Sequence, residues 1–554
     1  MTSPASPQRY ALALLALAFI AIWFGNLENR KLTHSDEGRY AEIAREMAAT
    51  GDWITPRLNG IKYFEKPPLQ YWATAAAYRL FGEHHWTARL WSAVTGLGAI
   101  ALAFFAGRRL FGPAAGLYSA LVLAGSAGHV TVSHINTLDM GLTFFLTATV
   151  LAFLMAQYRA ATAAERRNWN LAAWACAALA VLSKGLIGIV LPAAALAAYV
   201  LVQRDLGLLR RLNWIAGVAL FLAISLPWFV LVQRANPEFA AFFLIHEHFE
   251  RFLTEIHHRI RPWWYFFPVL AAGTLPWLTL LPQAVMRGWR GDPAVESFRP
   301  ARFLLIWAVV IFTFFSASSS KLPSYILPAL PAGALLIGLL IAETGARQLL
   351  WHAVAVAVAG LAVALLAPMA GLRGSDGPVG ASLDAYIPWI AAAGVAYVIG
   401  GGCAAYACRM GNRTAAVLGI AFGGLVATQL LMAGHDSLAS LNSGYQLARD
   451  IRPYVTDKTP LYSVRTYDQT LPFYLKRTVT LVAFEGELAY GLEHEPQLSL
   501  PDIQSFERAW RDEPGSLAIM ELDTYGALEA RGLPMRIIAR DLRRVVVTRP
   551  SATR

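Results

Sequence analysis

The sequence predicts a polytopic α-helical membrane protein with a large polar first loop and a small α/β domain at its C-terminus. Three observations predict it. Of 554 residues, 56% are hydrophobic and 15% charged, against roughly 25% charged in a soluble domain, and the mean hydropathy is +0.44. Apolar runs of about 20 residues recur, each long enough to cross a hydrocarbon core about 30 Å thick. From residue 435 to 554 those runs stop, and strand-like and helix-like segments alternate instead, the pattern of an α/β domain.

About thirteen candidate spans follow: 9–27, 87–107, 114–132, 138–157, 169–184, 186–203, 213–233, 264–285, 303–318, 324–342, 349–371, 387–406 and 414–434. The first apolar stretch, Ala11–Phe24, has the length of a signal-sequence core. No small-residue cleavage site follows it, and Trp23 with Asn26 reads as a helix end at the interface, so it is taken as a retained first span. Basic residues then test the list. With the N-terminus cytoplasmic, every second connection is basic: Arg108 and Arg109; Arg159, Arg166 and Arg167; Arg204, Arg210 and Arg211; Arg287, Arg290, Arg299 and Arg302; Arg347; Arg409 and Arg413. The alternation sends the C-terminal domain to the outside and accounts for much of the net charge of +11 without nucleic acid. Anionic lipid or phosphate ligands could use the remainder. Cys176, Cys403 and Cys408 all lie in or beside apolar runs, so no disulfide framework holds the polar domain. The division expected is 1–434 for the membrane domain, with loop 28–86 carrying its chemistry, and 435–554 for the outer domain.

Two outer connections break the charge rule. Loop 28–86 is rich in both signs, and 234–263 contains His246, Arg251, His257, His258, Arg259 and Arg261. Within the first, Asp36–Met47 reads as a helix ended by Gly51, and 70–81, after Pro67-Pro68, as a second interfacial helix. In the outer domain 442–455 reads as a helix, 461–464, 478–482, 517–520 and 543–548 as strands, and 502–511 and 523–531 as helices. No Gly-rich phosphate loop stands out there.

The densest polar cluster is His34-Ser35-Asp36-Glu37-Gly38-Arg39-Tyr40. Adjacent carboxylates followed by Arg and Tyr at a membrane surface suit a polar group carried on a lipid, because a carboxylate accepts a proton, holds a cation or binds sugar hydroxyls. A capping box would explain one acid alone. Asp139 is the second candidate acid; it stands where the chain returns into the membrane, and a lone carboxylate there is costly unless paired or used, or else favoured by the helix dipole. Lys184, in Ser183-Lys184-Gly185, either serves an anionic ligand or snorkels to the interface. Lys321 and Tyr325, in the outer connection 318–325, suit phosphate or a polar turn. Glu65, His246, Glu247 and His248 are possible ligands of a divalent ion; the His246–Glu250 stretch lacks the two-histidine zincin spacing, since position 250 is Glu.

The stretch Ser35-Asp36-Glu37-Gly38-Arg39-Tyr40, then Gly51-Asp52-Trp53, then Phe64-Glu65-Lys66-Pro67-Pro68-Leu69 and Tyr71-Trp72, resembles the first periplasmic loop of the lipid A 4-amino-4-deoxy-L-arabinose transferases. These belong to the glycosyltransferase C superfamily with the protein O-mannosyltransferases and oligosaccharyltransferases. The acidic motif is shared at superfamily level. Glu65-Lys66-Pro67-Pro68 is narrower, though related bacterial lipid-phosphate glycosyltransferases carry it too.

The resemblance implies transfer of aminoarabinose from undecaprenyl phosphate to a phosphate of lipid A, at the periplasmic face of a bacterial inner membrane, by a monomer surrounded by membrane lipids. Resistance to polymyxin and other cationic peptides would follow. The leaving group would be a lipid phosphate, so the site needs cations and donors where negative charge collects. Arg39, Tyr40, Lys66, Lys184, Arg251, Lys321 and Tyr325 are the candidates, beside the acids Asp36, Asp139 and Glu37. A divalent ion, zinc foremost, would sit at Glu65 and His246. A phosphate acceptor is already ionised near neutral pH, so Asp36 and Asp139 are expected to orient the reactants, one of them pairing with the sugar's ammonium group; a serine acceptor would require Asp36 as a true base. A protein or other lipid acceptor within the superfamily, and a transporter, are the competing readings. A transporter would place its ionisable residues near mid-bilayer.

Overall fold

In lipid the backbone must satisfy its own hydrogen bonds, so each apolar run closes into a helix. The computed structural model describes residues 7–158, 160–243, 261–290, 298–369, 377–484 and 486–550. Every one of the expected spans coincides with helix there. Among the described residues, eight helices are long and apolar enough to cross a membrane: His85–Phe111, Leu138–Ala156, Trp214–Ala235, Pro300–Ala317, Pro323–Glu343, Ala346–Leu366, Pro378–Arg409 and Arg413–Asn442. Two further pairs are sharply bent, Pro113–Gly125 with Ala127–Ser133 by 64° and Trp263–Gly273 with Leu278–Arg290 by 115°, which brings the number to ten if each pair is one span. Pro276 stands in the second break, where its missing N–H cannot continue the ladder. The stretches Leu14–Gly25 and Ile187–Gln203 are apolar but shorter. The helix Ala163–Lys184 opens on Glu165, Arg166 and Arg167, which shortens its apolar part.

In the first loop, after α1 (Pro7–Gly25), α2 (Asp36–Thr50) carries Asp36 and Glu37 in its first turn, where the helix dipole favours acids. Gly51, at a φ of 77°, ends it by donating to the Met47 carbonyl. Next comes a hairpin, β1 (Arg57–Leu58) and β2 (Ile61–Lys62), not foreseen above. Its turn is Asn59-Gly60, both at positive φ, 58° and 76°; that dipeptide is the strongest short-range hairpin signal. α3 (Leu69–Phe81) then packs on α2.

Among the described residues, the C-terminal domain holds one six-stranded mixed sheet in the order β5-β4-β3-β6-β8-β7, with β3 Leu461–Val464, β4 Thr480–Val482, β5 Ser499–Leu500, β6 Leu517–Glu521, β7 Arg536–Arg540 and β8 Arg544–Thr548. The four central strands match the sequence reading. The two edges, β5 and β7, are short or charged, as edge strands tend to be, and carry too little apolar pattern to be read. The helix expected over 442–455 is cut to Tyr445–Ile451 with a 3-10 turn Arg452–Tyr454, because Pro453 follows.

The first loop and the C-terminal domain share one hydrophobic core. Tyr40, Ile43, Met47, Tyr71 and Tyr78 pack with Leu447, Leu471, Phe473, Leu481, Ile519 and Val546. Asn59 adds a two-way clasp, donating to the Val479 carbonyl and accepting from Val479 N, both at 2.8 Å. The loop that carries the polar cluster is thus built jointly by two distant parts of the chain.

Candidate active site

Asp36 opens α2, and one turn on, Arg39 Nη1 donates to its Oδ1 at 2.8 Å. The other guanidinium amine of Arg39 pairs with Glu487 of the C-terminal domain. Burial alone would weaken the Arg39 cation, but the surrounding Tyr63, Glu487, Tyr40 and Asp36 raise it well above its ordinary range. Arg39 therefore stays charged. Glu487 is pushed up by burial, with Glu65 adding to the rise and Arg39 opposing it. Tyr40 and Tyr63 border the same space, where the charge of Glu65 acts on both. Lys66 Nζ donates to the Glu65 carbonyl at 2.8 Å.

Asp139 stands in the first turn of the helix Leu138–Ala156 and is buried. Lys184, the last residue of its helix, donates to Asp139 Oδ1 at 2.5 Å and lies 4.8 Å over the ring of Tyr325. Asp36 is close enough for its charge to act on Lys184. Asp36, Arg39 and Tyr40 form one group and Asp139, Lys184 and Tyr325 another, drawn from four separate stretches of sequence and linked by the charge of Asp36 acting on Lys184. Lys184 does not snorkel freely; it is held between a carboxylate and a ring.

Glu37 goes elsewhere. It is 1% exposed, and its carboxylate accepts from Arg89 Nε at 2.7 Å and Nη2 at 2.9 Å, from Asn136 N at 3.0 Å and from Thr33 N at 3.1 Å. Burial alone would raise its pKa, but Arg89 outweighs burial and holds the carboxyl at about 2. Neighbours on a helix point about 100° apart (3.6 residues per turn), so one acid faces the cluster while the next anchors the loop. Arg89 also donates to the carbonyls of Leu27 and Arg30, tying the end of the first helix to the same point.

Lys321 is buried, its Nζ donating to the Ser318 carbonyl, and the hydroxyls of Ser316, Ser319 and Ser320 nearby are buried without a partner among the described residues. Arg251, His246, Glu247, His248, Glu250, His257, His258 and Arg259 lie outside the described residues. Among the described residues, no group of three His, Cys, Asp or Glu side chains is placed to hold a metal ion; of the pair expected to hold a divalent ion, Glu65 is described and His246 is not.

Sequence reading missed Glu487, Tyr63 and Arg89. Arg89 had a signal, a charge at the start of an apolar run, where ionisable residues are rarely idle. Glu487 had none; only the fold brings it to Arg39.

The C-terminal domain family of aminoarabinose transferases matches residues 447–549, and the dolichyl-phosphate-mannose-protein mannosyltransferase family matches 9–243. The structure superposes on ArnT from Cupriavidus metallidurans bound to undecaprenyl phosphate with a TM-score of 0.91, at 38% identity over 99% of each chain. The chain belongs to the aminoarabinose transferase family. Two curated relatives agree. The undecaprenyl phosphate-α-4-amino-4-deoxy-L-arabinose arabinosyl transferase 2 of Pseudomonas fluorescens is 36% identical over 60% of this chain and 56% of its own length. The corresponding transferase of Shewanella sediminis is 36% identical over 58% of each. The matched stretch thus spans little more than half the length of these relatives. The resemblance read from residues 35–72 is borne out at the level of the family, and the membrane-embedded glycosyltransferase fold with it.

Proposed function

We propose that the protein transfers 4-amino-4-deoxy-L-arabinose from undecaprenyl phosphate to a phosphate of lipid A, at the periplasmic face of a bacterial inner membrane. The observation that carries the reading is the convergence of Asp36 and Asp139 about Lys184, beside Arg39 and Tyr325. In the reaction an acceptor phosphate oxygen forms a bond to the sugar's anomeric carbon as the bond from that carbon to the donor phosphate breaks. The undecaprenyl phosphate leaves with the electron pair. Negative charge therefore grows on the leaving phosphate, where fixed cations lower the barrier most.

Lys184, Lys66, Lys321 and Arg251 are assigned to the phosphates, with Tyr325 bounding the site. The unpartnered hydroxyls beside Lys321 suit phosphate oxygens. Asp36 and Asp139 orient the reactants, and one of them takes the sugar's ammonium group. Arg39 and Tyr40 shape the sugar pocket. Glu37 is a positioning group here rather than a catalytic one, since its acceptor directions are already used. About thirteen spans, the division at residues 434 and 435, the periplasmic C-terminal domain and a monomeric state belong to the same proposal, as does resistance to polymyxin and cationic peptides.

Mass spectrometry of lipid A tests it, in a null strain complemented with the wild type or with Asp36→Ala. An aminoarabinose increment that appears with the wild type and vanishes with the variant is expected. Unchanged lipid A with well-expressed wild type and donor lipid present would send the reading to another acceptor. The match of residues 9–243 to the mannosyltransferase family favours a labelled protein as the second reading. A transporter fits less well, because the charged cluster stands at helix ends.

A further inference from the structure

Asp36 is bracketed by the C-terminal domain. On one side, Gly38 lies so close to the 468–470 turn that a Cβ there would stand 2.7 Å from Thr470 N and 2.8 Å from Gln469 C. Those are backbone atoms, which cannot swing aside as a side chain can. The turn is itself fixed. Asp468 is buried, accepts from Thr470 N at 2.9 Å, pairs with Arg544 and lies 3.5 Å from Arg543. Thr470 Oγ1 in turn accepts from Gly444 N at 2.8 Å.

On the other side of Asp36, Arg543 Nη1 donates to His34 Nε2 at 3.2 Å, and His34 N donates to the Asn442 carbonyl at 2.8 Å. Leu32 N donates to Tyr474 Oη at 2.8 Å. Residues 32, 34 and 38 are therefore all held by the segment 442–543, with Asp36 between them.

We propose that the Asp468–Thr470 turn and Arg543 of the C-terminal domain are positioning elements for the Asp36 carboxylate. None of them need touch substrate. The proposal rests on the reading of Asp36 as one of the two acids of the transferase site. It gives the C-terminal domain a role in the reaction that neither its sheet nor its sequence motifs disclose. A displacement of about 1 Å at a reacting group costs on the order of 100-fold in rate, so a domain that sets this position controls turnover without changing affinity.

The clasp also has a pH sense. Arg543 donates, so His34 Nε2 must hold a free lone pair, which requires neutral imidazole. Burial first, and then Arg543 and Arg544, keep His34 below its ordinary pKa of 6.5, with Asp468 opposing them. Below that point a protonated His34 loses its acceptor and faces two arginines, and the clasp opens.

The test compares steady-state turnover of undecaprenyl phosphate-aminoarabinose by the full chain and by Gly38→Ala, Arg543→Gln and Arg543→Lys, with Asp36→Asn as reference. Expected for Gly38→Ala and Arg543→Gln is a fall of about 10-fold or more in kcat with donor KM nearly unchanged. Arg543→Lys should recover part of the loss, and Arg543→Gln should flatten the decline of kcat in mild acid. Arg543 is over a third exposed, so its variants keep the test open where Gly38→Ala fails to fold. Wild-type kcat at every pH in Arg543→Gln, with Asp36→Asn inactive, overturns the positioning role alone. Full activity of Asp36→Asn would overturn the site reading and this role together.

Discussion

α2 carries two pairs of carboxylates, one in its first turn and one further along, and the fold treats them oppositely. In the first turn Asp36 is 36% exposed and shares Arg39 with Glu487, while Glu37 is buried against Arg89. Further along, Glu42 and Glu46 are both buried, one turn apart. Arg45 donates twice to Glu42, at 2.7 and 2.6 Å, and Glu46 accepts from Gly60 N. Burial, and then the Glu42 charge, push Glu46 up to about 8; burial also raises Glu42. The buried Glu37, gripped by Arg89 and a backbone N–H of Asn136, stays ionised and becomes a bolt. A buried acid beside a second acid keeps its proton. An acid left partly open, next to a shared cation, is the one available to a ligand. Residue type decides none of this; the partner charge and the exposure do.

The contrast can be broken in order of expected effect. Asp36→Asn should cut turnover by about 100-fold while thermal stability stays at the wild-type value; Asp139→Asn should cut turnover to a similar extent and also lower stability, because Lys184 loses its partner. Near-wild-type turnover in either would remove that residue from the reaction. Glu37→Gln should do the reverse kind of damage, leaving Arg89 buried without its counter-charge at a cost of about 3–5 kcal/mol. Equilibrium unfolding or yield of folded protein reads it, and a variant as stable as the wild type would erase the distinction between Asp36 and Glu37. The sign with pH follows from the lowered carboxyl: the Glu37 contribution is complete above its ordinary 4.5 and is lost only as pH falls through about 2.

Lys184→Ala should lower turnover more than Lys184→Met lowers stability, because the lysine is held by Asp139 and Tyr325 but is not a core side chain. Equal losses of folding in both variants would make it a structural bolt like Arg89. The smallest effect belongs to Glu46→Gln. The folded carboxyl titrates near 8 against 4.5 unfolded, so its stabilising protonated form is full below 4.5 and is lost as pH rises through 8. Glutamine mimics that form, and the variant should gain Tm over the wild type increasingly from pH 5 to pH 9. A gap that does not widen with pH would mean Glu46 is ionised throughout.

The sequence by itself determined the membrane class, the positions of the apolar helices, the four central strands of the C-terminal domain and the family. Each rests on a local pattern, either an apolar run, an alternation or a contiguous motif such as Glu65-Lys66-Pro67-Pro68. It also named Asp139 and Lys184, because charged residues at helix ends beside a membrane are costly enough to need a reason, Asp36 from its polar cluster and Tyr325 from its polar connection. Only the tertiary structure decided which of two adjacent acids faces the cluster, since Asp36 and Glu37 look alike until Arg89 claims one of them. Only the tertiary structure brought Glu487 to Arg39 and the Asp468–Thr470 turn against Gly38. The physical reason is that a side chain's role is set by the charges and the burial around it, and those come from segments hundreds of residues away that no local pattern records.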